Sequence, residues 1–192
     1  MRFSSWMYWD KLLYVLAIAS LGIFRPDYAL FGVFLFLIPY FILTKRTNAF
    51  RHLFLAGSVA LLWVIIAREE YRYNQTLWVV SGLPVYPFLG WMLGLTGAYL
   101  LYAHWNTHLK SHVAHFFSFS ILFWVLLIIT ESIAYHWFGI QNSAASAFVG
   151  LPLCDCIHAP RWMQFSYFAL GPLYFFLCEA FGFEHPHRSR NF

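Results

Sequence analysis

Long apolar runs separated by short polar connections dominate the pattern of this chain. Each run approaches the roughly 20 residues that an α-helix needs to cross the apolar core of a bilayer. Six such segments are predicted: Trp6–Phe24, Tyr28–Thr44, Leu53–Ala67, Leu83–Tyr102, Phe116–Phe138 and Trp162–Phe183. The connections leave no room for a separate soluble domain. We therefore expect residues 1–192 to form one all-α domain, a polytopic membrane bundle of about six helices.

Composition favours a membrane protein over a water-soluble one. Hydrophobic residues make up 61% of the chain and charged residues 10%, whereas about a quarter of an average soluble domain is charged. The first apolar segment lacks the small-residue cleavage site of a secretory signal, so we expect it to be retained as a span. The net charge of +4 comes from basic residues scattered between apolar runs, which argues against a nucleic-acid partner. The expected partner is the lipid bilayer.

The distribution of Lys and Arg predicts the orientation of the spans. With a cytoplasmic N-terminus and six spans, the cytoplasmic side collects Arg2, Lys11, Lys45, Arg46, Arg51, Lys110, Arg188 and Arg190. The outer side then holds Arg25, Arg68, Arg72 and Arg161. Basic residues are enriched in cytoplasmic loops, so we expect a multi-pass protein of the cell inner membrane with both termini in the cytoplasm.

A short pattern occurs twice along the chain. GLPVYPFLGWM occupies residues 82–92, and GLPLCDCIHAPRWM occupies residues 150–163. Each copy follows an apolar segment with acidic residues near its outer end. This similarity predicts a duplicated helical hairpin over residues 53–104 and 116–183, with both linking loops outside. The second copy differs by its Cys-Asp-Cys-Ile-His interior, which is where chemistry specific to that copy is expected.

Glu131 is the main candidate for a catalytic group. It lies inside the fifth segment, about two helical turns from the outer end. An ionisable residue in an apolar span is costly and normally faces a partner or a cavity. Burial favours the neutral carboxylic acid, which can donate a proton to an alkene or to a leaving group. The alternative is a structural carboxyl satisfied by a tyrosine or arginine of a neighbouring helix. Tyr135, at i+4, is expected to share its helix face, whereas His136 need not.

Other polar groups on the outer side supply the remaining predicted roles. Asp155 or Glu70 is the candidate base, and His136 and His158 are candidate orienting groups. The candidate substrate-binding residues are Arg72, Arg161, Trp91 and Trp162, of which the two arginines would hold an anionic headgroup or diphosphate. The run REEYR at 68–72 has a second interpretation, a self-neutralising interfacial cluster anchored by its tyrosines.

The Cys-Asp-Cys-Ile-His run permits three interpretations. Cys154, Cys156 and His158 are residue types that bind zinc or a softer metal, although C-x-C is closer than the usual C-x-x-C spacing. Outside the cytoplasmic membrane the two thiols could instead form a redox-active disulfide. The third interpretation is packing of small polarizable side chains beneath aromatic residues. Cys178, in the last segment, is expected in the core.

Four histidines mark the predicted cytoplasmic side. If one helix covered this stretch, the side chains of His104, His108, His112 and His115 would share one face and could bind metal or relay protons. The alternative is a wet, basic connection between the fourth and fifth segments that faces lipid headgroups.

The two loops and the acids before them resemble the small integral-membrane proteins of carotenoid biosynthesis. These include the bacterioruberin-pathway hydratases and the heterodimeric or fused lycopene cyclases. The hydratases carry a Gly-hydrophobic-Pro segment leading to a Trp, to which residues 82–92 are similar. The cyclases carry Leu-Pro-hydrophobic followed by acids, and LPLCD at 151–155 resembles that pattern with a cysteine in place of one acid. The resemblance covers about residues 69–180. It implies protonation chemistry on an isoprenoid.

The favoured function is therefore a membrane enzyme that performs acid–base chemistry on a hydrophobic isoprenoid or lipid, by hydration, cyclisation or isomerisation. Abundant aromatic side chains could stabilise carbocations in its site. Two alternatives remain at this point, a metal-binding or transport protein that uses the Cys/His loop and a structural subunit of a membrane complex. No pattern in the sequence identifies a cofactor.

Overall fold

The architecture is that of a computed structural model, which describes residues 3–105, 111–142 and 147–183 together with Pro186. In these residues the fold is mostly helical, as predicted. Its long helices are α1 (Phe3–Ile23), α2 (Pro26–Leu43), α3 (Thr47–Ala67), α4 (Val85–Trp105), α5 (His112–Ser132) and α6 (Arg161–Ala180). A 3-10 turn at Arg68–Glu70 continues α3, and a π-helical turn at Ile133–Trp137 continues α5. Strands β1 (Val79–Val80) and β2 (Leu83–Pro84) form a small antiparallel hairpin before α4.

Helix boundaries follow local sequence signals in most places. Pro26 begins α2, because its missing N–H is unneeded and its fixed φ suits the first helical turn. The α3 helix is the exception, since it begins at Thr47 instead of the predicted Leu53. Its extra residues include Asn48 and His52, which are polar yet buried by neighbouring helices. Hydropathy cannot show that such residues remain helical.

The central helix of the bundle is α4. It packs most extensively against α3 and also contacts α1, α2 and α5, while α6 packs on α5 and α3. Close approach of α5 and α6 requires Gly171, because a Cβ there would lie 2.2 Å from Cδ1 of Phe123. The main core extends from Ala56 on α3 to Cys178 on α6, and it buries Cys178 as predicted.

In the part of the chain that the structure describes, three segments are long and apolar enough to cross a membrane: Pro26–Leu43, Thr47–Glu70 and His112–Trp137. The helices α1, α4 and α6 have similar lengths, but their composition is less apolar. Tyrosine, tryptophan and glycine are frequent in α4, which packs against several other helices.

The two copies of the repeated pattern lie in different local structures. In the first copy Pro84 ends β2, and α4 begins at the next residue. In the second copy the backbone N–H of Leu151 donates to the carbonyl of Cys156 at 2.8 Å, and α6 begins only at Arg161. Trp91 is consequently buried within α4 at 8% exposure, whereas Trp162 is 45% exposed at the start of α6. Residues 153–160 separate Pro152 from α6, whereas in the first copy the helix begins directly after Pro84.

Candidate functional site

An apolar cavity of about 170 Å³ lies between α1, α4 and α5. It occupies the end of the bundle where α1 and α5 end and α4 begins. Leu21, Gly90, Leu93 and Leu127 are among its apolar lining residues. An apolar cavity of about 150 Å³ is known to hold a benzene ring. The space therefore suits a ring-sized or branched apolar group rather than a whole lipid.

Glu131 lines this cavity from the last turn of α5. Its side chain is partly accessible because it faces the cavity, while protein surrounds it on the other sides. Among the residues that the structure describes, its carboxyl group has no hydrogen-bond or ion-pair partner. An unpaired carboxylate is costly in such surroundings, so the neutral acid is the favoured form.

A buried tyrosine, Tyr71, lies at the centre of a hydrogen-bond cluster beside the cavity. The indole N–H groups of Trp63 and Trp91 donate to its hydroxyl at 2.7 and 2.8 Å. The hydroxyl of Tyr167 lies 3.1 Å from the same oxygen. Burial raises the pKa of the Tyr71 phenol, so this group stays neutral. The cluster fixes the aromatic wall of the cavity next to Glu131.

Several tyrosines line the cavity together with Glu131. The hydroxyls of Tyr71, Tyr73, Tyr86 and Tyr167 all lie within electrostatic range of its carboxyl group. The rings are held by one another, with Tyr73 and Tyr86 edge to face at 5.1 Å between centroids. Within the described residues no lysine or arginine lines the cavity. The site is therefore polar enough to orient a proton donor and has no fixed positive charge.

Loops that are hydrogen-bonded to each other lie over the end of the cavity where α1 and α5 end. Tyr73 and Asn142 form an isolated antiparallel bridge, and the amide of Asn142 donates to the carbonyl of Glu70. The side chain of Asn74 donates to the carbonyl of Gly139 at 3.0 Å and accepts from the N–H of Gln141 at 3.2 Å. These bonds join the segment after α3 to the segment after α5.

His158 completes this cover from the loop before α6 and lines the cavity. Its Nδ1 lies 2.9 Å from the carbonyl of Phe148, and its Nε2 lies 3.0 Å from the carbonyl of Asp155. The imidazole stacks on Tyr135 at 4.6 Å between ring centroids. Gly150 is required beneath it, because a Cβ at that residue would lie 2.8 Å from the His158 Nε2 atom. This loop therefore positions the histidine rigidly against the cavity.

The structure brings together some of the predicted site residues and separates others. Glu131, His158 and Trp91 line the cavity, together with Tyr135, which was expected on the face of Glu131. The predicted site residues that do not line it are Asp155, Glu70, His136, Trp162, Arg72 and Arg161.

Three of the excluded residues make local interactions away from the cavity or are exposed to solvent. Asp155 adopts a left-handed backbone conformation with φ of 44°, and its side chain is 73% exposed. His136 lies in the π-helical turn and contacts the carbonyl of Cys154 at 2.8 Å. Arg72 lies 3.7 Å from Glu69 at the exposed surface, as expected for a self-neutralising cluster. The structure therefore offers no second carboxylate to pair with Glu131.

The Cys-Asp-Cys run contains a disulfide between Cys154 and Cys156. Neither sulfur is available as a metal ligand in this state, because a ligating cysteine must be a free thiolate. Among the described residues, no group of three His, Cys, Asp or Glu side chains is arranged to hold a metal. The arrangement corresponds to the disulfide alternative for this loop.

The histidine stripe is divided between two helices. His104 lies near the end of α4, where its Nε2 is 2.8 Å from an oxygen of Asp10. His115 lies on α5, where its Nδ1 is 2.7 Å from the hydroxyl of Tyr102. His112 is exposed near Glu179, and His108 lies outside the described residues. The described histidines therefore do not share one helix, since His104 lies on α4 and His112 and His115 lie on α5.

Sequence reasoning missed the tyrosines of the site and the buried Asp10. The same signal that identified Glu131, an acid within an apolar segment, also applies to Asp10. No comparable signal marked Tyr71 and Tyr73, which resembled ordinary interfacial anchors. Their roles depend on which helices converge around them.

Comparison with known proteins gives no relative. The chain matches no protein-family model, no curated protein sequence and no solved structure.

Proposed function

We propose that this protein is a membrane enzyme that performs acid–base chemistry on a hydrophobic isoprenoid or lipid. All six helices are proposed to cross the bilayer, with both termini in the cytoplasm and the covered cavity toward the outer side. The observation that carries the proposal is the carboxyl group of Glu131. It has no partner among the described residues and faces an aromatic-lined apolar cavity.

The chemistry follows from a neutral acid in an apolar site. Glu131 donates its proton to one carbon of an alkene, which leaves a carbocation on the other carbon. Aromatic rings that line the cavity, among them those of Trp91 and Tyr167, can stabilise that cation. Attack by water and loss of its proton gives hydration, whereas loss of a proton from a neighbouring carbon gives isomerisation. In cyclisation a second alkene attacks the cation before a proton is lost. In each case the released proton restores Glu131.

His158 keeps the orienting role that the sequence assigned to it, whereas the candidate bases Asp155 and Glu70 do not line the cavity. It is the other group besides Glu131 and the tyrosines in the described lining that can exchange a proton. Its ring is held by two carbonyl contacts and by stacking on Tyr135, so it serves as an orienting group. Arg72 and Arg161 are exposed and stay candidates for holding a substrate headgroup outside the cavity.

The experiment compares the products formed by matched acid variants. Wild type, Glu131→Gln and Glu69→Gln are expressed in a strain whose own copy is deleted, and total lipids and pigments are analysed by mass spectrometry. Glu69 is exposed and paired with Arg68, so its amide variant controls for the loss of an acid. General acid catalysis contributes about 10²–10⁴-fold, so Glu131→Gln should lose product by that order while Glu69→Gln retains it. A Glu131→Gln profile indistinguishable from wild type would falsify the proposal.

A further inference from the structure

Two helices that line the cavity are not packed against each other. The α1 helix packs on α2 and α4, and the α5 helix packs on α4 and α6. They meet at the outer end, where α1 contacts the π-helical turn and a Cβ on Gly22 would overlap the ring of Phe138. Below this point a seam separates α1 from α5. The residues along it, Tyr14, Ile18, Leu126 and Thr130, are partly exposed.

A side-chain hydrogen bond crosses this seam. The hydroxyls of Tyr14 and Thr130 lie 3.1 Å apart. The Tyr14 ring rests on α4, since a Cβ on Gly97 would lie 3.3 Å from its Cδ2 atom. Both residues also line the cavity. Tyr14 therefore stands between the cavity and the outside of the bundle.

Described residues obstruct two other directions out of the cavity. The hydrogen-bonded loops cover the outer end, and buried side chains of the core, including Leu95 and Tyr99, fill the bundle toward the opposite end. A ligand that enters through the outer loops would have to break several bonds that join two segments. A ligand that enters through the seam has to displace one tyrosine.

The size and charge of the cavity define which part of a ligand fits. About 170 Å³ accommodates a ring-sized or branched group but not a long chain. The described lining has no lysine or arginine, so an anionic headgroup has no counter-charge inside. The part that enters must be the apolar end of the ligand. The remaining chain must leave between α1 and α5.

We infer that, on the function proposed above, the substrate is a long-chain isoprenoid or lipid whose apolar end enters from the bilayer through the seam between α1 and α5. Tyr14 acts as the positioning residue of this entrance. The reacting carbon reaches Glu131 while the rest of the chain stays among the lipid tails. The substrate class thus consists of molecules that are dissolved in the membrane and react at one apolar end.

The test uses photolabelling from within the bilayer. The full chain is reconstituted in phosphatidylcholine vesicles with a C20 isoprenoid alcohol that carries an alkyl diazirine at its apolar end, or with a phosphatidylcholine that carries the diazirine on its acyl chain. After irradiation, mass spectrometry locates the labelled residues. We expect Glu131 to be labelled by at least one probe, together with Phe36, a 75% exposed residue on α2 that serves as a lipid-facing reference.

The seam is then closed chemically. Tyr14→Cys with Thr130→Cys is joined by a short bifunctional maleimide, and the same variant without the reagent controls for folding. Native thiols do not interfere, since Cys154 and Cys156 form a disulfide and Cys178 is buried. Joining the helices should lower the labelling of Glu131 by at least about 10-fold relative to Phe36, which corresponds to about 1.4 kcal/mol. The unjoined variant should label Glu131 at least as well as wild type.

The outcomes separate the entrance from the chemistry. Equal labelling of Glu131 with the seam open and joined, or no labelling of Glu131 by either probe, overturns the lateral entrance. In that case, loss of product in Glu131→Gln would still support the proposed function. Conversely, labelling that depends on the seam combined with an unaltered Glu131→Gln profile rejects the chemistry and keeps the entrance.

Discussion

Asp10 and Glu131 are both carboxyl groups within long helices, at opposite ends of the bundle, but their surroundings differ completely. Asp10 receives two bonds from the Arg46 guanidinium, at 2.7 and 3.0 Å. The hydroxyl of Tyr40 donates to it at 3.0 Å, and Nε2 of His104 lies 2.8 Å away. Glu131 has no such partner among the described residues and faces a cavity. The difference separates a carboxylate that holds helices together from one that is available for chemistry.

The Asp10 cluster has a clear structural consequence. It joins α1 to α2, to the turn before α3 and to the end of α4, and both Asp10 and Arg46 are buried. A buried ion pair can be neutral in net stability, but the loss of one partner leaves an uncompensated charge. Four parts of the chain therefore depend on one carboxylate. Substitution of Asp10 should mainly lower stability, whereas substitution of Glu131 should mainly lower activity.

The largest expected effect is on stability at the Asp10 end. Asp10→Asn leaves the Arg46 charge buried without its counter-charge, so the free energy of unfolding should fall by about 3–5 kcal/mol. Glu131→Gln removes an acid with no partner and should change the free energy of unfolding by less than about 1 kcal/mol. The stability of both variants is measured by thermal unfolding in detergent micelles, with size-exclusion chromatography to monitor the loss of folded protein. Equal losses in the two variants would remove the distinction between the two carboxyl groups.

A double substitution sharpens the same comparison. Replacing both charges, with Asp10→Asn and Arg46→Met, removes the pair without leaving a buried charge. The double variant should be more stable than the sum of the two single losses predicts, by at least about 1–3 kcal/mol. The measurement is a double-mutant cycle on the same unfolding transition. Simple additivity would show that Arg46 is held mainly by other contacts.

An intermediate effect is expected at the aromatic wall beside Glu131. Tyr71→Phe removes the oxygen that accepts from Trp63 and Trp91, which leaves two buried indole N–H groups without that acceptor. The free energy of unfolding should fall by about 1–3 kcal/mol. Tyr28→Phe, on the exposed part of α2, is the matched control and should be nearly neutral. Comparable effects in the two variants would argue against the hydrogen-bond cluster.

The smallest change in stability, with a large change in activity, is expected when the cavity is filled. Gly94 lines the cavity, and a Cβ at this residue meets nothing within 4 Å. Gly94→Leu should therefore leave the free energy of unfolding unchanged or raise it by about 0.5–1 kcal/mol, because leucine favours a helix more than glycine does. The leucine side chain should at the same time occupy the space for substrate. Gly32→Leu controls for propensity, since Gly32 is also helical with open space around its Cβ position and does not line the cavity. Full activity in Gly94→Leu would place the substrate elsewhere.

Part of the site was visible in the sequence, and part was not. Glu131 could be identified from the sequence because it lies within the fifth apolar segment. A carboxyl group in such a segment is costly and normally faces a partner or a cavity. Pairing of this acid with Asp155 or Glu70 was expected from their shared side of the membrane. Two residues on one side can still face different directions, and the Asp155 carboxylate is 73% exposed and lies 3.4 Å from Nε2 of His158 instead of in the cavity.

The sequence by itself determined that the chain is helical, where its helices lie to within a few residues, and that an acid is present in an apolar helix. These properties depend on local hydrophobicity and helix signals. Only the tertiary structure decided that Asp10 is neutralised and Glu131 is not, and that Tyr71 is central while Arg72 next to it is exposed. Partners for a buried group come from other helices, so the role of each carboxyl depends on which helices meet around it.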